Sequence, residues 1–177
     1  MVVYGSSGAG KSSLAARIAA VIDAAHVEID VLAYDEAAVR VEQSELRHRF
    51  ATASRVERWV VEGMHRDQLT AAIPSADLLI WLDLPRRTIA RRLVFRMISH
   101  LVTGRPRHGR RVTFRSVVGR EVPFIVKSVR SVPRRRRHGR ALNDLAKDAG
   151  VEVLHLTSAS AAHRYLRGVE ASRTRAP

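Results

Sequence analysis

The chain has 177 residues, carries a formal net charge of +14, is 46% hydrophobic and contains no cysteine. Its length and apolar content suit one globular domain with a full core and exclude a disordered chain, while the missing cysteines exclude disulfides, thiolate metal sites and a cysteine nucleophile. No apolar run approaches the length of a membrane span and no signal peptide precedes the first motif, so a cytoplasmic protein with no membrane partner is expected.

Val2-Val3-Tyr4 is a short β-branched and aromatic run that predicts a first strand. Three residues are few for a buried strand, so it is either short or begins upstream of Met1. Gly5-Ser6-Ser7-Gly8-Ala9-Gly10-Lys11-Ser12 follows and fits G-x-x-x-x-G-K-[ST], the phosphate-binding P-loop. Glycines at 5, 8 and 10 permit a tight backbone turn that aims several N–H groups at one anion. Lys11 brings a point charge to the β- and γ-phosphates, and the Ser12 hydroxyl is a ligand for Mg²⁺. A helix expected over Ser13–Ala24 places its positive dipole end toward the same anion.

His26–Ile29 reads as a second strand ending at Asp30. Residues 31–57 are expected to form an acceptor-binding insertion with a helix over Gln43–Ala53. Arg58–Glu62 is a third strand closed by Gly63, and a short helix near Arg66–Ile73 stops at Pro74. The continuous apolar run Asp77–Leu82 is expected of a strand covered on both faces. Asp83-Leu84-Pro85 opens a long helix over Arg86–Val102, with Asp83 expected as its N-cap. A Gly/Pro/Arg loop over about 103–112 has the composition of a lid. Helical patterns resume over Val112–Val132, break at Pro133 and return to about Lys147. Val151–Leu156 is a fifth strand, Ser160–Leu166 a last helix, and residues from Ala171 are expected to fray. Strands alternating with helices predict an α/β fold: one domain over residues 1–170, a parallel sheet with helices on both faces, and a tail over 171–177.

Ligands of such sheets bind at the carboxyl ends of the strands, which places Gly5–Ser12, Asp30, Glu62 and Asp83 along one rim. Phosphoryl transfer needs phosphates held, a metal coordinated, an acceptor positioned and cations to offset charge. Glu62, after an apolar strand and before Gly63, is placed to hold Mg²⁺; the bland alternative is a turn cap. Asp30 is placed to orient an acceptor hydroxyl or a metal-bound water, or else to serve as a helix N-cap or turn residue.

The cations are unevenly distributed. Residues 1–84 carry 8 Lys and Arg against 12 Asp and Glu, and residues 85–177 carry 23 against 5. Lys11, Lys127 and Lys147 are the only lysines, and arginine is the better phosphate partner because its planar fork grips two oxygens. Arg92, Arg96, Arg105 and Arg111 are the candidates for phosphate contacts, with Arg105 and Arg111 on the expected lid. The run Arg134–Arg137 is either a solvated helix start or an electrostatic contact for nucleic acid; without interleaved aromatics, nucleic acid is the less favoured partner. The histidines lack zinc-ligand spacing.

Gly5–Ala15, Val27–Asp30, Trp59–Gly63, Ala76–Arg86 with its Arg-rich helix, and Leu154–Ser158 together resemble the adenylate-kinase-like P-loop kinases, and within them the DNA topology modulation proteins. The resemblance implies strand order 2-3-1-4-5, ATP with Mg²⁺, and a mobile lid. It implies a metal-side role for Glu62-Gly63, where the pattern has Asp-Gly, and it places a nucleotide-kinase arginine at Arg66. Met64-His65 departs from the Asn-Tyr of that pattern and leaves the small-molecule acceptor unidentified. Two functions follow: transfer of the γ-phosphoryl of ATP to a nucleotide, nucleoside or small hydroxyl metabolite, or an ATP-binding protein that uses its basic half on nucleic acid.

Overall fold

The computed structural model describes residues 1–37, 39–103 and 117–174, with side chains to Ser172. Five parallel strands form one sheet in the order β2-β3-β1-β4-β5, where β1 is Val2–Gly5, β2 Ala25–Glu28, β3 Trp59–Gly63, β4 Leu78–Leu82 and β5 Glu152–Leu156. Helices α1 (Lys11–Ile22), α2 (Ile29–Leu32), α3 (Gln43–Ala53), α4 (Arg66–Ala72) and α5 (Arg86–Thr103) alternate with the strands. A π-helical turn over Val117–Glu121 leads into α6 (Val122–Arg130), α7 (Val132–Asp148) and, after β5, α8 (Ala159–Thr174). The expected α/β fold and strand order are those observed.

Alternation along the strands feeds two cores. Val2, Tyr4, Val61, Leu79 and Trp81 face Leu69, Ile73, Leu142 and Ala146 on one side of the sheet. Val3, Val60, Ile80 and Leu82 face Leu14, Ile18, Ile89, Leu93 and Leu166 on the other. Because both faces are covered, the strands read as continuous apolar runs, and each buried Val, Leu or Ile contributes about 1.5–3 kcal/mol. Gly139 of α7 sits against the Trp81 indole, where an added Cβ would lie 2.6 Å from Cζ2 and Nε1. Trp81 in turn stacks on His155, with ring centroids 4.1 Å apart.

Several boundaries differ from expectation. β2 ends at Glu28, and Ile29 and Asp30 open α2. The turn buries Ile29 against Gly63, where a Cβ would meet that of Ile29 at 3.0 Å, and it leaves Val31 64% exposed. α1 starts at Lys11, directly behind Gly10. Pro133 lies inside the first turn of α7, where its missing N–H has no partner to lose. α8 runs on to Thr174, into the segment expected to fray. Asp83 does not cap α5: its Oδ1 accepts from Arg136 Nε at 2.7 Å and its Oδ2 lies 3.5 Å from His155 Nε2. The expected lid over about 103–112 lies outside the described residues except Thr103.

The Tyr4 hydroxyl donates to the Arg135 carbonyl at 2.8 Å, tying β1 to α7. Burial pushes its phenol up to about 12, against a smaller downward pull from Arg135. A pKa raised in the folded state stabilises fully below the unfolded value, near 10, and that contribution is lost as the pH rises through 12. Tyr4→Phe is expected to cost about 1 kcal/mol at pH 8, yet to lack a loss of about 2–3 kcal/mol expected of the wild type between pH 10 and 12. Urea unfolding across that range checks this, and parallel pH curves for the two proteins would contradict it.

Candidate functional site

The site grows out of the turn that ends β1. Gly5 approaches β4 so closely that a Cβ would lie 2.7 Å from the Leu82 carbonyl oxygen. Gly8 and Gly10 adopt φ of 82° and 95°, the left-handed region that favours glycine. Ala9 N–H donates to Ser6 O at 3.0 Å, and Gly10 serves as the N-cap of α1 without a side-chain cap. The loop therefore presents an uncapped helix N-terminus, a backbone environment suited to an anion. Ser6 is buried, while Ser7, Gly8, Ala9, Gly10, Lys11, Ser12 and Ser13 line a cleft of about 1840 Å³.

Parallel pairing of β1 with β3 sets Val3 beside Glu62 and Tyr4 beside Gly63. Glu62, 1% exposed, thus reaches the first turn of α1. Ser12 Oγ donates to Glu62 Oε1 at 2.7 Å, and Lys11 Nζ lies 3.6 Å from Oε2. Glu62 Oε2 is buried without a hydrogen-bond partner. A buried carboxylate oxygen is rarely left this way, so the atom has coordination to spare. That fits Mg²⁺, which takes one or two protein oxygens and fills its octahedron with phosphate and water. Among the described residues, no group of three or more His, Asp or Glu forms a self-sufficient metal site.

Across the cleft, Asp30 stands in the first turn of α2 with His65 Nε2 at 3.3 Å from Oδ1. Burial raises the Asp30 pKa, but hydrogen bonding from His65 and the positive charges of Lys11, His65 and Arg135 outweigh it and leave the carboxyl below its ordinary range. Asp30 is therefore ionised at neutral pH, able to accept a proton only as bond-making makes its partner acidic. Its contribution to stability is present above the unfolded pKa and is lost as the pH falls through the lower folded value.

Arg92 is tied to the P-loop: Nη1 donates to Ala9 O at 2.7 Å. Arg96 and Arg120 line the same cleft, as do Ala162, His163 and Leu166 of α8. Arg105 and Arg111 lie outside the described residues. Arg66 opens α4 but does not line the cleft. The basic run splits: Arg134 and Arg137 are exposed, Arg136 pairs with Asp83, and Arg135 Nη1 donates to Met64 O at 3.3 Å. His65 and Arg135 were not among the expected site residues. Their only signal was indirect, a histidine close behind Glu62-Gly63 and an arginine run within the first turns of a helix.

No protein-family model matches the chain, and no curated protein matches it. Solved structures do. A gluconokinase from Sinorhizobium meliloti 1021 is 18% identical over 98% of this chain and 90% of that one, with a TM-score of 0.49. A shikimate kinase from Acinetobacter baumannii, solved with shikimate, is 12% identical over 95% and 88%, with a TM-score of 0.53. A shikimate kinase from Bacteroides thetaiotaomicron is 11% identical over 97% and 95%, with a TM-score of 0.50. The likeness to the two shikimate kinases is one of fold.

Proposed function

We propose that the chain is an ATP-dependent kinase that moves the γ-phosphoryl group to a hydroxyl of a small molecule. The observation that carries this reading is the meeting of Lys11, Ser12 and Glu62 at the helix N-terminus, with the Asp30–His65 pair across the same cleft. Gly5–Ser13 hold the triphosphate by backbone N–H groups, and Lys11 places its charge against the phosphoryl in transit. Ser12 and Glu62 hold Mg²⁺, whose chemistry is to neutralise charge on the phosphate oxygens. Asp30 receives the acceptor's hydroxyl proton, and His65 fixes the orientation of its carboxylate. Arg92 braces the P-loop through Ala9, while Arg96, and Arg105 and Arg111 of the expected lid, offset the remaining negative charge.

The cytoplasm, where ATP is at hand, is part of this proposal; among the described residues no helix is long and apolar enough to cross a membrane. The Arg134–Arg137 run supports the nucleic-acid reading less well, because Arg135 and Arg136 are engaged within the rim. The test is acceptor-dependent ADP release from ATP and Mg²⁺ across a panel of hydroxyl compounds. Asp30→Asn is expected to retain ATP affinity and to lower that release roughly 10²–10⁴-fold, the range for loss of a general base. Release at the wild-type rate in Asp30→Asn would remove Asp30 from the chemistry, and ATP bound without release for any acceptor would overturn the kinase reading.

A further inference from the structure

The two halves of the cleft carry opposite charge. Lys11 and Arg17 of α1, Arg92 and Arg96 of α5, and Arg120 line the cleft together with Glu62 and Glu121, a net positive set as a polyphosphate requires. The wall built from the end of β2 onward is lined instead by Glu28, Asp30, Asp35 and Glu36. Arg49 is the arginine on that wall among the described residues, and its charge is already met: Nε donates to Glu45 Oε1 at 2.7 Å and Nη1 to Tyr34 O at 3.1 Å, while His65 is held by Asp30 at 3.3 Å. Arg40, Arg47 and Arg55 of the same segment do not line the cleft. Arg135 acts on Asp30 electrostatically, but its Nη1 is directed to Met64 O.

The acidic wall has structure of its own. Val39 N–H donates to Asp35 Oδ1 at 2.8 Å, and Tyr34 pairs with Arg40 in an antiparallel bridge. Glu28 has His26 Nδ1 at 3.6 Å. Tyr34 lines the cleft beside these carboxylates and is 50% exposed, leaving an aromatic surface open to a ligand.

Among the described residues, an anionic acceptor entering here would be set against several like charges, with the one arginine of this wall already engaged. An ammonium group, by contrast, finds carboxylates and an aromatic ring at one place. We infer that the acceptor is an amine-bearing hydroxyl compound, of the amino-sugar or amino-alcohol class, whose ammonium lies against Asp35, Glu36 and Tyr34 while its hydroxyl lies at Asp30. This rests on the kinase reading above. The acceptor oxygen bonds to the γ-phosphorus of ATP, the bond from that phosphorus to the β,γ-bridging oxygen breaks, ADP leaves with the electron pair, and the hydroxyl proton passes to Asp30. The ammonium is unchanged and serves only as the handle.

The experiment measures ADP release with matched sets: hexosamines and amino alcohols, the same hexoses and alcohols without nitrogen, and the corresponding sugar acids, hydroxy acids and nucleoside monophosphates. The amine set is expected to give the highest kcat/KM. In Asp35→Asn/Glu36→Gln the KM for the best amine is expected to rise about five- to tenfold, as for the loss of two partly exposed ion pairs. Its kcat, the KM for ATP and the KM for the nitrogen-free counterpart are expected to hold. An acid or a nucleotide as the best acceptor, a neutral compound equal to its amine, or an unchanged amine KM in the double variant would each overturn this inference and leave the kinase reading standing. ATP bound with no release for any member of the three sets would overturn both.

Discussion

Lys11→Ala is expected to lower acceptor-dependent ADP release roughly 10²–10³-fold, the range for removing one preorganised charge-stabilising donor. The Lys11 ammonium is a buried charge at the mouth of a glycine turn, poised by Glu62 at 3.6 Å. The backbone donors of Gly8–Ser13 remain in the variant, so ATP binding should weaken less than turnover. The same substitution strips the counter-charge from Glu62, which is 1% exposed. Breaking a buried pair on one side costs about 3–5 kcal/mol, and the retained Ser12 donor places this case at the lower end. That is a large share of a stability of about 5–15 kcal/mol. Circular dichroism and urea unfolding should accompany the kinetics, and turnover near the wild-type value in a folded Lys11→Ala protein would contradict the role given to Lys11.

Glu62→Gln tests the other end of the pair. Gln at this position keeps an oxygen for the Ser12 hydroxyl but loses the charge that faces Lys11 and the metal. Release is expected to fall roughly 10–100-fold, with the half-maximal Mg²⁺ concentration raised, as for substitutions beside a metal site. The two ends should not add. Lys11→Ala/Glu62→Gln removes both charges, so it should unfold at a higher urea concentration than Lys11→Ala alone while remaining as inactive. An unchanged Mg²⁺ dependence in Glu62→Gln would place the ion elsewhere, and strict additivity in stability would deny the pair.

The sheet was legible because its strands are covered on both faces. Val2–Tyr4, Trp59–Val61 and Leu78–Leu82 needed no alternation to be recognised. The turn at Gly5–Gly10 was legible because left-handed backbone at Gly8 and Gly10 restricts the residue type. Boundaries were less so. Asp30 sits on a helical turn and not at a strand end because Ile29 finds its pocket against Gly63, a tertiary contact with no local signature. Asp83 had the sequence context of a cap, yet Arg136 and His155, far along the chain, draw its carboxylate away. The Arg134–Arg137 run gave the charge but not its division. Which of four consecutive arginines turns inward depends on the phase of α7 against the rim, and Gly139 at Trp81 sets that phase only once the helix is docked. The Ser12–Glu62 contact lies between: each residue stood out, and the parallel register of β1 with β3 brought them within 2.7 Å.

The γ-phosphoryl of ATP is expected to move to a small hydroxyl compound. The direct measurement is transfer of label from γ-labelled ATP, with Mg²⁺, into the low-molecular-weight fraction of a cell extract, read by separation of the labelled products. The expected product is a labelled phosphate ester distinct from inorganic phosphate, formed by the wild type and lost in Lys11→Ala and in Asp30→Asn. Label that remains in ATP, or that appears only as inorganic phosphate at a rate indifferent to the added fraction, would contradict it.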